Sequence, residues 1–156
     1  MKWLSGNNGT MKSHKEYGIS DYYNNMNCTW TIAGHEDKVI YLKFVSFDVE
    51  PGSDPSKDGA RESKDCDRDS LTIYDGTGSN RSEAKVVCGS KLPVGMYTVG
   101  PNTSLIFTTN NAVTKKGFLL MFSVVDKPGK RICCQSDMDV SPRVCKGLYL
   151  CVGSVG

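Results

Sequence analysis

The sequence predicts an all-β fold, an antiparallel β-sandwich, on three observations. Several stretches alternate apolar and polar residues with period two. Gly, Pro and Asn signals cut these stretches at short intervals, and none of the 156 residues falls in a sustained amphipathic helical pattern. A chain of this length holds one domain and at most an appendage, and is long enough to bury a core.

Residues 1 to 21 are polar, rich in Asn, Gly, Ser and Lys, and read as a flexible N-terminal segment. Cys28-Thr-Trp-Thr-Ile32 is a short strand with Cys28, Trp30 and Ile32 on one face. Lys38 to Glu50 is the longest strand: Ile40, Leu42 and Phe44 share a face, then the apolar set slips to Val45, Phe47 and Val49, which predicts a bulge. Pro51 to Asp65 has nothing to bury and is expected as a loop. From Ser70 to Tyr74, Leu71 and Ile73 point one way until Asp75-Gly76 turns the chain. Strands follow at Ala84 to Val87, Met96 to Val99, Leu105 to Thr109 and Phe118 to Val125. Phe118, Leu120, Phe122 and Val124 form the inward face of the last one; Leu119 and Met121 face outward and are expected to pack under a loop.

Cys66 and Cys88 bracket the hairpin that begins at Ser70, and a pair so placed reads as a disulfide. It closes a loop of about 22 residues and contributes roughly 3 kcal/mol. Seven cysteines without a CxxC pair or a histidine set suited to zinc point to an oxidising compartment. Four Asn-x-Ser/Thr sites agree, at Asn8, Asn27, Asn80 and Asn102; Asn80 and Asn102 fall in expected turns and are the better glycosylation candidates. The chain begins without the apolar core of a signal peptide, which implies a trimmed leader or an incomplete N-terminus. No run reaches membrane-spanning length.

Residues 126 to 156 form a linker and a Cys-rich tail, with Cys133, Cys134, Cys145 and Cys151 in a stretch too short for its own core. The tail is expected to be stapled to itself or to the sandwich; the sharper alternative is cleavage at the dibasic pair Lys130-Arg131. Residues 36 to 83 hold 12 Asp and Glu against 7 Lys and Arg, so the middle of the chain favours a cation or a basic partner over nucleic acid. The two histidines, His14 and His35, fall in a tail and a turn and are read as solvated. Neither adjoins a nucleophile motif, which argues against an enzyme. Gly76-Thr-Gly78 is a turn and not a phosphate loop, since no helix or Lys-Ser/Thr follows.

Five ordered blocks carry a resemblance. They are Tyr22 to Ile32 with Cys28 and Trp30; Phe44-Val-Ser-Phe47-Asp48-Val49-Glu50; Cys66-Asp-Arg-Asp69 through Tyr74-Asp75-Gly76; Val87-Cys88-Gly89; and Leu105 to Asn110 with Gly117-Phe118. In register from about residue 17 to residue 125, they resemble a CUB domain. The resemblance implies a jelly-roll-like sandwich in an extracellular, secreted protein, used for protein binding and not for catalysis. It divides the chain into residues 1–16, 17–125 and 126–156. Two departures stand out: no cysteine precedes Cys28 to pair with it, and the family's first strand is shortened. With Cys28 orphaned, its thiol either packs as a small apolar side chain or meets a tail cysteine. With seven cysteines at least one stays free or pairs between chains, so a disulfide-linked oligomer is a further expectation.

The resemblance also implies a calcium site at one end of the sandwich. Position by position, its ligands fall on Glu50, Asp69, Asn110 and Ala112, steadied by Tyr22. Two acids and the tyrosine are kept, an amide stands for the third acid and the serine is gone. Ca²⁺ tolerates an amide oxygen, but each lost charge weakens the site. In family members with the full site, the metal-bound acids also accept a partner's Lys or Arg. The competing reading is that Glu50 and Asp69 are solvated acids at loop ends, with Asp69 capping the turn after Cys66.

Overall fold

The alternation that marks the strands also decides how they pair, because each strand can bury only one face. The computed structural model of the chain describes residues 2–54 and 65–127. Lys130-Arg131, the tail cysteines and residues 55–64 of the loop expected over 51–65 lie outside the described residues.

Nine strands are present among the described residues: β1 (Lys2–Leu4), β2 (Asn8–Lys12), β3 (Asn27–Ala33), β4 (Lys38–Asp48), β5 (Ser70–Asp75), β6 (Ser82–Val87), β7 (Met96–Tyr97), β8 (Asn102–Thr108) and β9 (Gly117–Asp126). They form two sheets, of order β1-β3-β8-β5-β6 and β2-β9-β4-β7, packed as a sandwich. Every pairing is antiparallel except that of β1 with β3. No helix of the described residues is long and apolar enough to cross a membrane.

Residues 2 to 12 correct the expectation of a flexible N-terminal segment. β1 lines up with Trp30 to Ile32 of β3, and β2 pairs through five residues with Leu119 to Ser123 of β9. β2 carries one large apolar side chain, Met11, buried at 2 % exposure, so no alternation announces it. Its Gly9 faces the Phe122 ring, which would lie 2.6 Å from a Cβ at that position.

The core follows the alternation. Ile40, Leu42 and Phe44 of β4 point inward, the register with β9 shifts between Phe44 and Ser46, and Phe47 and Val49 resume the inward face. Val45 sits in the bulge and is exposed, unlike its expected place in the apolar set. Leu71 and Ile73 of β5, Leu105 and Phe107 of β8, and Phe118 and Leu120 of β9 are fully buried. One aromatic edge contact bridges the two sheets: Phe118 of β9 meets Phe107 of β8 with ring centres 5.2 Å apart, while Phe47 stacks on Phe118 within its own sheet at 6.1 Å. On the outer face of β9, Leu119 is half-buried and Met121 is exposed, so Met121 is not packed under a loop as expected.

Candidate functional site

One disulfide and three backbone hydrogen bonds bring one end of the sandwich together. Cys66 and Cys88 form a disulfide with Cα atoms 5.7 Å apart, so the segment leading to Asp69 is fixed beside residue 88. Val49 donates its N–H to the Gly89 carbonyl at 3.0 Å, which holds the end of β4, and hence Glu50, against the same neighbour. Tyr22 N–H donates to the Lys115 carbonyl and Asn25 N–H to the Asn110 carbonyl, which ties the loop between β2 and β3 to the loop between β8 and β9.

Four of the residues singled out in the sequence meet there. The Tyr22 ring packs edge-on against Phe107, 5.2 Å away, and its hydroxyl donates to Asp69 Oδ2 at 2.6 Å while accepting Glu50 N–H at 3.0 Å. Burial, reinforced by the hydrogen bond to Asp69, pushes the Tyr22 phenol far above its ordinary range, so it stays a neutral donor. Asp69, wholly buried, accepts Asn110 N–H at Oδ1, 2.7 Å away. Glu50, 2 % exposed, accepts Asn110 Nδ2–H at Oε2, 2.7 Å away, and Arg68 Nη1–H at Oε1, 3.3 Å away. The Asn110 Oδ1 accepts Ala112 N–H at 2.8 Å. All four carboxylate oxygens thus have a donor from the protein.

Sequence reasoning missed two participants. Arg68 was legible only as one residue of a motif, and nothing in the spacing links it to Glu50, 18 positions earlier. His14, expected to be solvated, is buried: Nε2–H donates to the Ser20 carbonyl, and Nδ1 meets Ser13 Oγ at 2.8 Å. Because β2 runs to Lys12, the next turn folds His14 among Tyr17, Tyr22 and Tyr23 instead of leaving it in a tail. His35 is exposed in its turn. Asn80 is exposed at the end of a 3-10 turn (Gly78–Asn80), whereas Asn102 opens β8 and is half-buried, not in a turn. Cys28 is the free thiol among the described residues, half-buried against the core, and burial pushes it up from its ordinary value.

The sequence profile of the CUB domain matches residues 2–122. The chain belongs to the CUB domain family. Cubilin of Canis lupus familiaris is 36% identical over 114 residues, 73% of this chain but 3% of the length of that protein. Exoskeleton protein RP43 of Riftia pachyptila is 32% identical over 108 residues, 69% of this chain and 23% of that protein. The chain thus spans a small part of the relatives it matches. Among solved structures, the MASP-1 CUB2 domain bound to Ca²⁺ aligns with a TM-score of 0.61 at 22% identity, over 78% of this chain and 96% of that one, a likeness of fold.

The ligand set that the CUB resemblance implies can be tested on this geometry. Ca²⁺ takes about six to eight oxygens and prefers carboxylates. Two carboxylates converge, and among the described residues no three His, Cys, Asp or Glu side chains group as metal ligands. Asn110 turns an Nδ2–H, not its oxygen, toward Glu50, Ala112 has no side-chain oxygen and its N–H holds the Asn110 Oδ1, and a guanidinium lies on Glu50. The donors present are those of a closed hydrogen-bond ring, and they do not fit a calcium ion.

Proposed function

We propose that this CUB domain is an extracellular, non-catalytic protein-recognition module that binds its partner through the loops at the Glu50, Asp69 and Asn110 end of the sandwich. The observation that carries the reading is the Tyr22–Asp69–Glu50–Asn110 ring. It ties four separate chain segments into one platform before any partner arrives. Loops fixed in this way lose little entropy on binding. The platform also carries side chains suited to an interface. Tyr23 is 54% exposed in the loop tied to Asn110, and Val113 is 43% exposed in the loop that Asn110 opens.

The test is a display of secreted and cell-surface proteins probed with the full chain. A partner retained by the wild type and by Tyr97→Ala, at β7, but lost on Tyr23→Ala with Val113→Ala supports the reading. A partner indifferent to Tyr23 and Val113, or lost on Tyr97→Ala alone, refutes it. We further propose that Asn80 carries glycan and Asn102 less of it, since Asn80 is the exposed one. A glycosidase-sensitive mass shift abolished by Asn80→Gln checks this.

A second reading is favoured by one observation, the 32% identity to an exoskeleton protein. In it the domain is a structural scaffold, and Cys28 or the tail cysteines form bridges between chains or the tail is released at Lys130-Arg131. Multimers on non-reducing gels that vanish when Cys28 and the four tail cysteines become Ser would favour it.

A further inference from the structure

We infer that Arg68 and Asn110 together take the place of a metal ion at the end of the sandwich, closing Glu50 and Asp69 both to Ca²⁺ and to a basic side chain from a partner. Two carboxylates at 2 % and 0 % exposure need compensation, because a buried ion without partners is costly. Each carboxylate oxygen has its own donor. Tyr22 Oη–H and Asn110 N–H donate to the two Asp69 oxygens, while Asn110 Nδ2–H and the Arg68 guanidinium donate to those of Glu50. Arg68 is the cation in the set. Its side chain is 45% exposed and reaches from solvent to the buried Glu50 carboxylate.

Entry of a cation therefore requires two linked changes. Asn110 must rotate to present Oδ1, which surrenders both Nδ2–H to Glu50 and the bond from Ala112 N–H. Arg68 must also leave Glu50, because a divalent ion beside a guanidinium is repelled. Restoring an acid at residue 110 removes only the first obstacle. The two residues act as one latch, so their effects on metal affinity are coupled and not additive.

Thermal unfolding of the full chain with EDTA, millimolar Ca²⁺ or millimolar Mg²⁺ tests this, since a metal bound only by the folded state raises the Tm with concentration. The wild type and Arg68→Gln should move by less than about 1 °C with Ca²⁺. Asn110→Asp should move slightly, and the double variant by several degrees more, with a Ca²⁺ affinity at least about tenfold above that of Asn110→Asp. In EDTA, Arg68→Gln should lower the Tm of the wild type but not that of a Glu50→Gln chain. If the double variant does not fold in EDTA, folding on addition of Ca²⁺ is the same supporting result. A saturable Ca²⁺ shift in the wild type overturns the inference. So does a double variant that binds no tighter than Asn110→Asp, or fails to fold in Ca²⁺, and so does an Arg68→Gln chain with unchanged Tm in EDTA.

Discussion

Replacing Tyr22 with Phe deletes one oxygen from the centre of the ring and leaves everything else in place. The ring stays edge-on to Phe107, 5.2 Å away, so packing is conserved. Two partners are lost, however, and both are buried. Asp69 Oδ2 loses a donor at 2.6 Å, and the Glu50 N–H loses its acceptor at 3.0 Å. A hydrogen bond to a charged group contributes about 1.5–3 kcal/mol, and a buried N–H left without a partner costs about 1–3 kcal/mol. The two share one hydroxyl and do not add fully, which places the loss near 2–4 kcal/mol. At roughly 4 °C per kcal/mol for a domain of this size, the Tm should fall by about 8–16 °C. Equilibrium unfolding in urea should show a lower midpoint at unchanged slope. A variant within about 2 °C of wild type would refute the ring, because Asp69 could not then be as deeply desolvated as its full burial requires.

Further perturbations probe the supports of the site. Replacing Cys66 and Cys88 with Ser should cost about 3 kcal/mol from the opened 22-residue loop; an unchanged urea midpoint would count against that closure. Gly117→Ala should cost about 2–4 kcal/mol by thermal unfolding, since Gly117 holds φ at +87° and a Cβ there would sit 2.0 Å from Ser13 Oγ. That collision would also disturb Ser13 where it receives Phe118 N–H. Because burial raises the Cys28 thiol, less thiolate is present near neutral pH, and iodoacetamide should label Cys28 several-fold more slowly in the folded chain than in urea. Equal rates, followed by peptide mass spectrometry, would show the thiol to be solvated.

How much of this was legible in the sequence depended on whether a residue's role lay in its own pattern. β4 announced its length, its inward face and its slip, because each inward residue must be apolar and the bulge shows as a phase change. The disulfide was legible because both cysteines bracket one hairpin. β1 and β2 were not. They are held by backbone pairing to β3 and β9, and Met11 is the one large side chain β2 buries, so composition alone suggested a loose segment. His14 was misread for the same reason, since its burial is a consequence of β2.

At the candidate site the sequence identified which residues meet but not what they do there. Tyr22, Glu50, Asp69 and Asn110 came from the resemblance to the CUB family, and the structure gathers all four. The sense of the chemistry turns on two facts that no spacing encodes. One is the rotation of the Asn110 amide, which decides whether Glu50 meets a donor or an acceptor; the neighbouring Ala112 N–H decides that rotation by claiming the oxygen. The other is the direction of Arg68, adjacent in sequence to Asp69 yet bonded to Glu50. A buried acid pair fixes that some cation or donor set must be present, but not its source. An amide in place of an acid at residue 110 and an internal cation from residue 68 push the same way. Each lowers the benefit of a metal, and each makes the other easier to keep.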